Sequence, residues 1–532
     1  MNLNGGKMKA LLDQKKYQVY REYLYPRGYL ITDHNFDLSA YPFYGNWNVV
    51  PLYRYRVFVH IKQQCFIYEN EGKKFFIIGH CYNPFSEEKN EKDIVRGLTE
   101  HYVDGSYIEY LNQLTGNFVT GYEDRTGKLS FTCDATGMLA AYYGKVRSFF
   151  YVSCYSHLIG DICNLQFDPY VKRLLNYRFY RLFGKMLPGD MSAYENIRHT
   201  VPNFQITYEN GKIEKKRFWP VEVISTDISQ TEYDEKIRFS AEVLHNSLQL
   251  ISEKWPGKAA ISLTGGCDSK TTLACAEGFY DRYNYFSYVS SEAEMVDAEA
   301  AEKICHMLGL KHKTYRISEN DQVFKDIEIW RAILSRNCGE IGENNANDVR
   351  KRAYFVYHHD FDVEVKSWVS EVVRAYYNKR FNRKVFPKYP NARYLTAMYK
   401  VFFWERGLVH ETDKRFQRYL DEYYTKDIFD KVNWTDLIFW EYRVSSWNGL
   451  VISNEHSLSF DITIPYNNRI LLQTLLGTPL EKRIEDQCHK DIQRIMNKKI
   501  ADTDISVTNL KHTKKRADFE KMYLAVQTKI PF

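Results

Sequence analysis

The chain of 532 residues has little of what would staple a fold, span a bilayer or leave a chain disordered. Its ten cysteines are scattered with no CxxC pair, so neither a disulfide framework nor a metal clip is expected. With only 14 Pro and 27 Gly, a fibrous or linker-rich chain is excluded. No apolar run approaches the ~20 residues that cross a membrane, and the opening MNLNGGKMKALLDQKK lacks the apolar core of a secretory signal. The expectation is a cytoplasmic protein with no membrane partner. A dominant charge sign is missing too: 73 Lys plus Arg against 67 Asp plus Glu leave +6, too weak a field over this length for a nucleic-acid partner. Neither GxxxxGK[ST] nor GxGxxG occurs as a nucleotide signature.

What is abundant is aromatic: 16% of residues, including 43 Tyr, enough for well-filled cores. At ~100–200 residues per domain the length predicts two or three domains. From Gly28 to about Trp219, short runs such as RVFVHI, FFIIGH, NFVTGY and FQITYE alternate with turn signals. ENEG at Glu69, DRTG at Asp124 and ENGK at Glu209 each separate two such runs, which predicts hairpins and antiparallel sheets. After Trp219-Pro220 the apolar period becomes three to four residues, and the order then reads strand, helix, strand, helix, strand through HKTYRI. That alternation predicts a parallel sheet wound by helices, followed by a largely helical, aromatic-rich remainder. Domains over residues 1–222 and 223–532 follow, and the fold class is α/β.

The stretch AAISLTGGCDSKTTLACA, Ala259 to Ala276, is the most informative. A buried strand meets a Gly pair, and a helix is expected to open just past Asp268. Glycine lets backbone N–H groups converge on an anion, and a helix N-terminus adds positive partial charge. Thr264 and Ser269 offer hydroxyls to phosphate, Asp268 offers a carboxylate to Mg²⁺, and Lys270 lies just inside. A plain strand-to-helix turn capped by Gly, Asp and Ser would look similar.

The loop resembles the SGGxDS pyrophosphate loop of the ATP pyrophosphatase superfamily, with Thr264 for the first Ser. YNYFSYVSSEAEMVDAEAAEKICHMLGLKHKTYRI, Tyr283 to Ile317, is similar to the adenine-side segment of asparagine synthetases, with an acidic residue opening a helix that ends in Leu-Gly-x-x-His. The corresponding residues are Asp297, Leu308, Gly309 and His312, and Ser287 lies on the preceding strand. Leu114, Gly116, Phe118, Asp134, Gly137, Tyr142 and Tyr143 match the glutaminase-domain pattern of the same family, and IGHCYN resembles its NGEIYN strand, with Ile78 and His80 where Asn and Glu would contact glutamine. The resemblance implies an N-terminal Ntn-hydrolase-like αββα sandwich and a C-terminal ATP pyrophosphatase domain of the adenine nucleotide α-hydrolase type. For function it implies an AMP-forming amide ligase that uses ATP and Mg²⁺.

Several departures qualify what is implied. That glutaminase needs a Cys as residue one, but Met1 is followed by Asn2 and the first Cys is Cys65. The reading is a glutaminase-like domain without glutamine hydrolysis, as in beta-lactam synthetases and lasso peptide cyclases, with Cys65 and Cys81 as core thiols. In VEVKSWVSEVVRAYY, Val363 to Tyr377, Glu371 and Tyr376 match the family's SGxGxDE–LFGGY loop, but its metal-binding Asp is Ser370 and its amine-polarising Glu falls near Ser367. Asn467 and Asn468 stand where PFLDHR has Asp and His, while Pro465 and Arg469 match.

The residues expected to act are Asp268, Glu371, Lys514 and Arg469 in catalysis. Asp268 and Glu371 are the expected metal ligands. Thr264, Gly265, Gly266, Asp268, Ser269, Lys270, Ser287 and Asp297 are expected around ATP. Arg443 and Arg469 are offered as a carboxylate or phosphate clamp. The partners expected are a small-molecule or peptide carboxylate and an amine donor, with a homodimer left open. The rival readings are intramolecular closure, as in beta-lactam synthetases or peptide cyclases, a tRNA-modifying ATP pyrophosphatase, disfavoured by the low net charge, and a nucleotide-binding pseudoenzyme.

Overall fold

The computed structural model describes residues 5–180, 182, 186–318, 321–339, 346–383, 385–400, 405–453, 456–505 and 514–529. The first strands are β1 (Tyr29–Thr32), β2 (Trp47–Pro51), β3 (Arg56–His60), β4 (Cys65–Asn70), β5 (Lys73–Tyr82), β6 (Thr115–Asp124), β7 (Leu129–Cys133), β8 (Tyr142–Val146), β9 (Phe149–Ser153), β10 (Arg198–His199), β11 (Phe204–Glu209) and β12 (Lys212–Arg217). They form two six-stranded sheets, β10-β8-β9-β1-β3-β2 and β12-β11-β7-β6-β5-β4, antiparallel throughout. The three expected hairpins are present. At Glu71-Gly72 and Asn210-Gly211 both central residues have positive φ, the tight turn whose twist matches that of its strands.

Strand β5 explains the layering. Phe76, Ile78 and Tyr82 face the core shared by the two sheets, whereas Phe75, Ile77 and Cys81 face the helices Glu91–Asp104 and Tyr107–Gln113 through Ile94, Leu98 and Leu111. A strand buried on both faces loses the apolar-polar alternation of a half-exposed one. Between the sheets Phe150 stacks on Tyr208 at 4.0 Å, and the helix Ser156–Cys163 packs against β8 and β9.

The helix Gln230–Lys254 opens on a capping box, Ser229 with Glu232. Five further strands follow: β13 (Ala259–Ser262), β14 (Asn284–Val289), β15 (His312–Arg316), β16 (Val363–Val365) and β17 (Asp461–Thr463). They form one sheet, ordered β15-β14-β13-β16-β17, with every pairing parallel. The molecule is thus mixed α/β, with antiparallel and parallel sheets. Two helices start earlier than the sequence predicts. One runs Cys267–Cys275, so Asp268 lies in its first turn; the other runs Glu292–Met307, so Asp297 sits in its second turn and does not open it. Ser291 caps the latter through the Glu294 N–H.

The seam between the antiparallel sheets and the rest is polar and buried. Asn467 Nδ2 donates to the Gly116 carbonyl at 2.6 Å and to Asp134 at 2.9 Å, and Asn468 Nδ2 donates to the Gln113 carbonyl at 2.7 Å. Arg217 makes a two-pronged pair with buried Glu441 at 2.6 and 2.8 Å. Glu441 lies on a π-helical stretch, Phe439–Ser453, whose Gly449 approaches the Gly137 turn so closely that a Cβ would meet the Gly137 carbonyl oxygen at 2.1 Å.

Candidate functional site

Strand order sets the location. The chain leaves β13 toward β14 and β15 on one side, whereas β16 and β17 add on the other, so the order reverses between β13 and β16. The loops that follow these two strands flank the crevice expected at the carboxyl edge, where open α/β sheets bind ligands. One loop is Leu263–Gly266; the other is Lys366–Val369.

The first loop is closed on itself. Ser269 Oγ donates to the Thr264 carbonyl at 2.9 Å and lies 3.1 Å from Thr264 Oγ1, and the Gly266 N–H donates to Thr264 Oγ1 at 3.2 Å. The Gly265 N–H donates to Asp297 at 3.3 Å, which puts Asp297 at the loop. Lys270 Nζ donates to the Ile505 carbonyl at 3.0 Å. Ser287 is buried and committed to the Leu263 carbonyl at 2.7 Å and His312 Nε2 at 2.9 Å; it supports the loop from inside the sheet.

The second loop carries strain. Val369 has φ +74° and Ala375 φ +48°, and for a β-branched residue the first is a true outlier. The kink brings Ser370 Oγ within 2.7 Å of Asp268 Oδ1, and Ser367 Oγ within 2.8 Å of Thr272 Oγ1. Glu371 is exposed, and partial loss of hydration together with the charge of Asp268 pushes its carboxyl up.

The residues that organise the crevice include several the sequence did not single out. Arg374 pairs with Asp268 and donates through Nε and Nη2 to Asp486 at 2.7 and 2.9 Å. Against the effect of burial, Arg374 and Lys379 hold Asp486 down at about 2, while Asp268 and Asp486 keep the guanidinium charged. The helix Gln487–Met496 brings His489, whose buried Nε2 has no hydrogen-bond partner among the described residues and lies 3.7 Å from Asp268 Oδ1. It also brings Gln493, which donates to the Cys267 carbonyl at 3.1 Å and Thr271 at 2.8 Å. One signal was available: Arg374 occupies a position where the LFGGY pattern has glycine.

As metal ligands, Asp268 and Glu371 fit poorly. Each oxygen of Asp268 already accepts a hydrogen bond, one from Ser370 and one from Arg374, and the guanidinium opposes a second cation beside it. Among the described residues no three His, Cys, Asp or Glu side chains converge as a metal site.

Arg469 corrects the sequence reading. It is fully buried in the seam, donating to Asn203 and to the Cys133 and Asp134 carbonyls, each at 3.0 Å, so it cannot clamp a ligand in the crevice. Arg443 instead stands over Trp447 at 5.0 Å and acts electrostatically on Glu371 and on buried Lys400, which burial and then Arg443 bring down to about 7. The side chain of Lys514 lies outside the described residues.

His80 lines a cavity of about 50 Å³ at the seam with Arg27, Asn117 and Asp461, and Arg27 pairs with Asp461 at 3.1 Å. Small-molecule pockets begin at roughly 300 Å³. Cys154 borders this cavity, and burial pushes its thiol up to about 12. A larger cavity of about 750 Å³ lies elsewhere, against Gly5, Asp161 and Arg336.

No family model matches the chain, and no curated protein does. Among solved structures it is similar to glutamine phosphoribosylpyrophosphate amidotransferase from B. subtilis, complexed with ADP and GMP, at 8% identity over 58% of this chain and 62% of that one, with a TM-score of 0.21. A second, titled the allosteric regulatory enzyme of purine biosynthesis, shares 8% identity over 50% of this chain and 61% of its own, with a TM-score of 0.24. The chain spans about three-fifths of either. Likenesses this weak bear on neither the fold nor the activity. Among the described residues no helix is long and apolar enough to cross a membrane.

Proposed function

We propose that the protein is an ATP-dependent, AMP-forming amide ligase of the asparagine synthetase type. A substrate carboxylate attacks the α-phosphorus of ATP, pyrophosphate leaves, and an amine then displaces AMP from the acyl-adenylate. Carboxylate oxygen leaves poorly as such, and adenylation replaces it with a better leaving group. The observation that carries the reading is the loop Thr264–Ser269 at the strand-order reversal, with the N-terminus of the helix Cys267–Cys275 and the cations Lys270, Arg374 and Lys379 around it. Fixed dipoles and cations there would stabilise the departing pyrophosphate. Arg443 is assigned to the substrate carboxylate, and Glu371 to the incoming amine as proton acceptor.

The residues 1–222 are read as an Ntn-hydrolase-like sandwich that does not hydrolyse glutamine, so the amine is ammonia or a second substrate. Two features support this: the cavity beside His80 is small, and its cysteine is held as a thiol. A nucleotide-binding protein without chemistry is favoured by one observation, that a serine hydroxyl engaged with Thr272 stands at Ser367, where relatives polarise the amine with a carboxylate.

The test is pyrophosphate release from ATP across a panel of carboxylic acids, with ammonia, candidate amines and glutamine supplied separately. Release that depends on one acid establishes ligase chemistry, and a product without a second substrate identifies intramolecular closure. Asp268→Ala should lower the rate at least about 100-fold while the thermal midpoint stays within a few degrees. ATP binding without release under every condition would leave only the non-catalytic reading.

A further inference from the structure

We infer that the guanidinium of Arg374 stands where a divalent cation would join Asp268 to a diphosphate, so that the loop binds diphosphate without a metal held by the protein. The inference rests on the proposed reading of the loop as a phosphate site. A metal bound to Asp268 would have to sit against the guanidinium that already pairs with one of its oxygens and share the other with Ser370, which donates to it at 2.7 Å. The guanidinium is not a loose surface charge. Asp486 grips it at two points, 2.7 and 2.9 Å, and is itself paired with Lys379. That grip orients a planar group beforehand, which lowers the cost of ordering it around a ligand.

The count of donors leaves room for phosphate. An arginine has five N–H bonds. Three are used on Asp486 and Asp268, and two have no acceptor among the described residues, while a fifth of the side chain, 20%, reaches solvent. A second observation points to an absent ligand or water: the His489 Nε2, in a side chain only 1% exposed, has no hydrogen-bond partner among the described residues and faces Asp268 at 3.7 Å. Burial holds that imidazole near a pKa of about 4, so at neutral pH it is an uncharged donor or acceptor. The two substitutions seen against the family pattern are then one exchange. Ser370 removes a carboxylate, Arg374 adds a cation, and the local charge that two acids and a metal would have is kept by one acid and a guanidinium.

The experiment is calorimetric titration of the full chain with inorganic pyrophosphate, in EDTA and in excess Mg²⁺. For the natural sequence, affinity in EDTA should be within about threefold of that in Mg²⁺, whereas Arg374→Ala should lose at least about tenfold in EDTA and recover in Mg²⁺ as Asp268 becomes free to hold the ion. Arg374→Lys, which keeps a charge without the two-pronged grip, should fall between them and guards against misfolding of the alanine variant. Binding by the natural sequence only when Mg²⁺ is present would overturn the inference and leave the proposed function standing. Absence of pyrophosphate binding under both conditions would overturn both.

Discussion

Arginine 469 shows how one residue type carries opposite roles depending on where the fold buries it. The guanidinium sits in the seam, cation over the Phe218 ring at 5.1 Å and bonded to two carbonyls and an amide, so its charge is spent on holding the two parts together. Arg469→Ala should therefore cost about 3 kcal/mol of unfolding free energy, because it orphans several buried acceptors at once. Pyrophosphate affinity of the folded variant should change less than about threefold; a tenfold loss would return Arg469 to the ligand site. Gly449 is a second seam residue with a sharp expectation. A methyl there would overlap the Gly137 carbonyl oxygen, which sits 2.1 Å from the Cβ position in a left-handed turn that cannot easily retreat. Gly449→Ala should lower stability by about 1–3 kcal/mol, measured by urea unfolding.

At the scale of elements, the loop after β16 determines what the crevice can do. The Ser370 hydroxyl, held also by the Ser367 carbonyl, reaches Asp268 beside Val369 at φ +74°, a conformation that a β-branched side chain resists. Val369→Gly should relieve that strain and raise stability by up to about 1 kcal/mol, less whatever the small buried side chain contributes by packing. The same change loosens the loop, so pyrophosphate affinity should fall; a variant both destabilised and unaltered in affinity would show that the strain is unrelated to the site. Close by, Glu364 lies on β16 with Lys366 at 2.5 Å and His456 at 3.2 Å; against burial, these partners bring its carboxyl down to about 2. This buried cluster fixes the start of the loop, much as the Asp486 grip fixes its end.

For the whole molecule, acid sensitivity follows from histidines buried without charge. Burial lowers His60 to about 4, His456 to about 3 and His489 to about 4, against an ordinary value near 6.5 in the unfolded chain. The sign is fixed by proton count. Below pH 6.5 the unfolded chain binds protons that the native protein refuses, so the contribution is fully present above 6.5 and is lost as pH falls toward 4. Each pKa unit is worth about 1.4 kcal/mol, so three such groups make a steep slope. The thermal midpoint should fall continuously from pH 6.5 to pH 4, and His60→Gln should remove part of that fall. An unchanged midpoint over this range would mean that these rings are hydrated in the native protein.

Local chemistry was readable along the chain. Alternating apolar residues between Asn-Gly and Glu-Gly turns specify hairpins because strand period and turn geometry are settled over a few residues, and Ile261 to Ser269 specifies strand, turn and helix for the same reason. The apolar run of β5 gave the strand, but not which residues face which layer, since burial on both faces removes the alternation. What only the tertiary structure decided is contact between distant segments. It set Arg374, Asp486 and His489 around Asp268 across more than a hundred residues, turned Arg469 into the seam, and placed Asp297 within a helix against the Gly265 N–H. A side chain's chemistry belongs to its sequence, but its charge state, its partners and its access to a ligand belong to the space it is folded into.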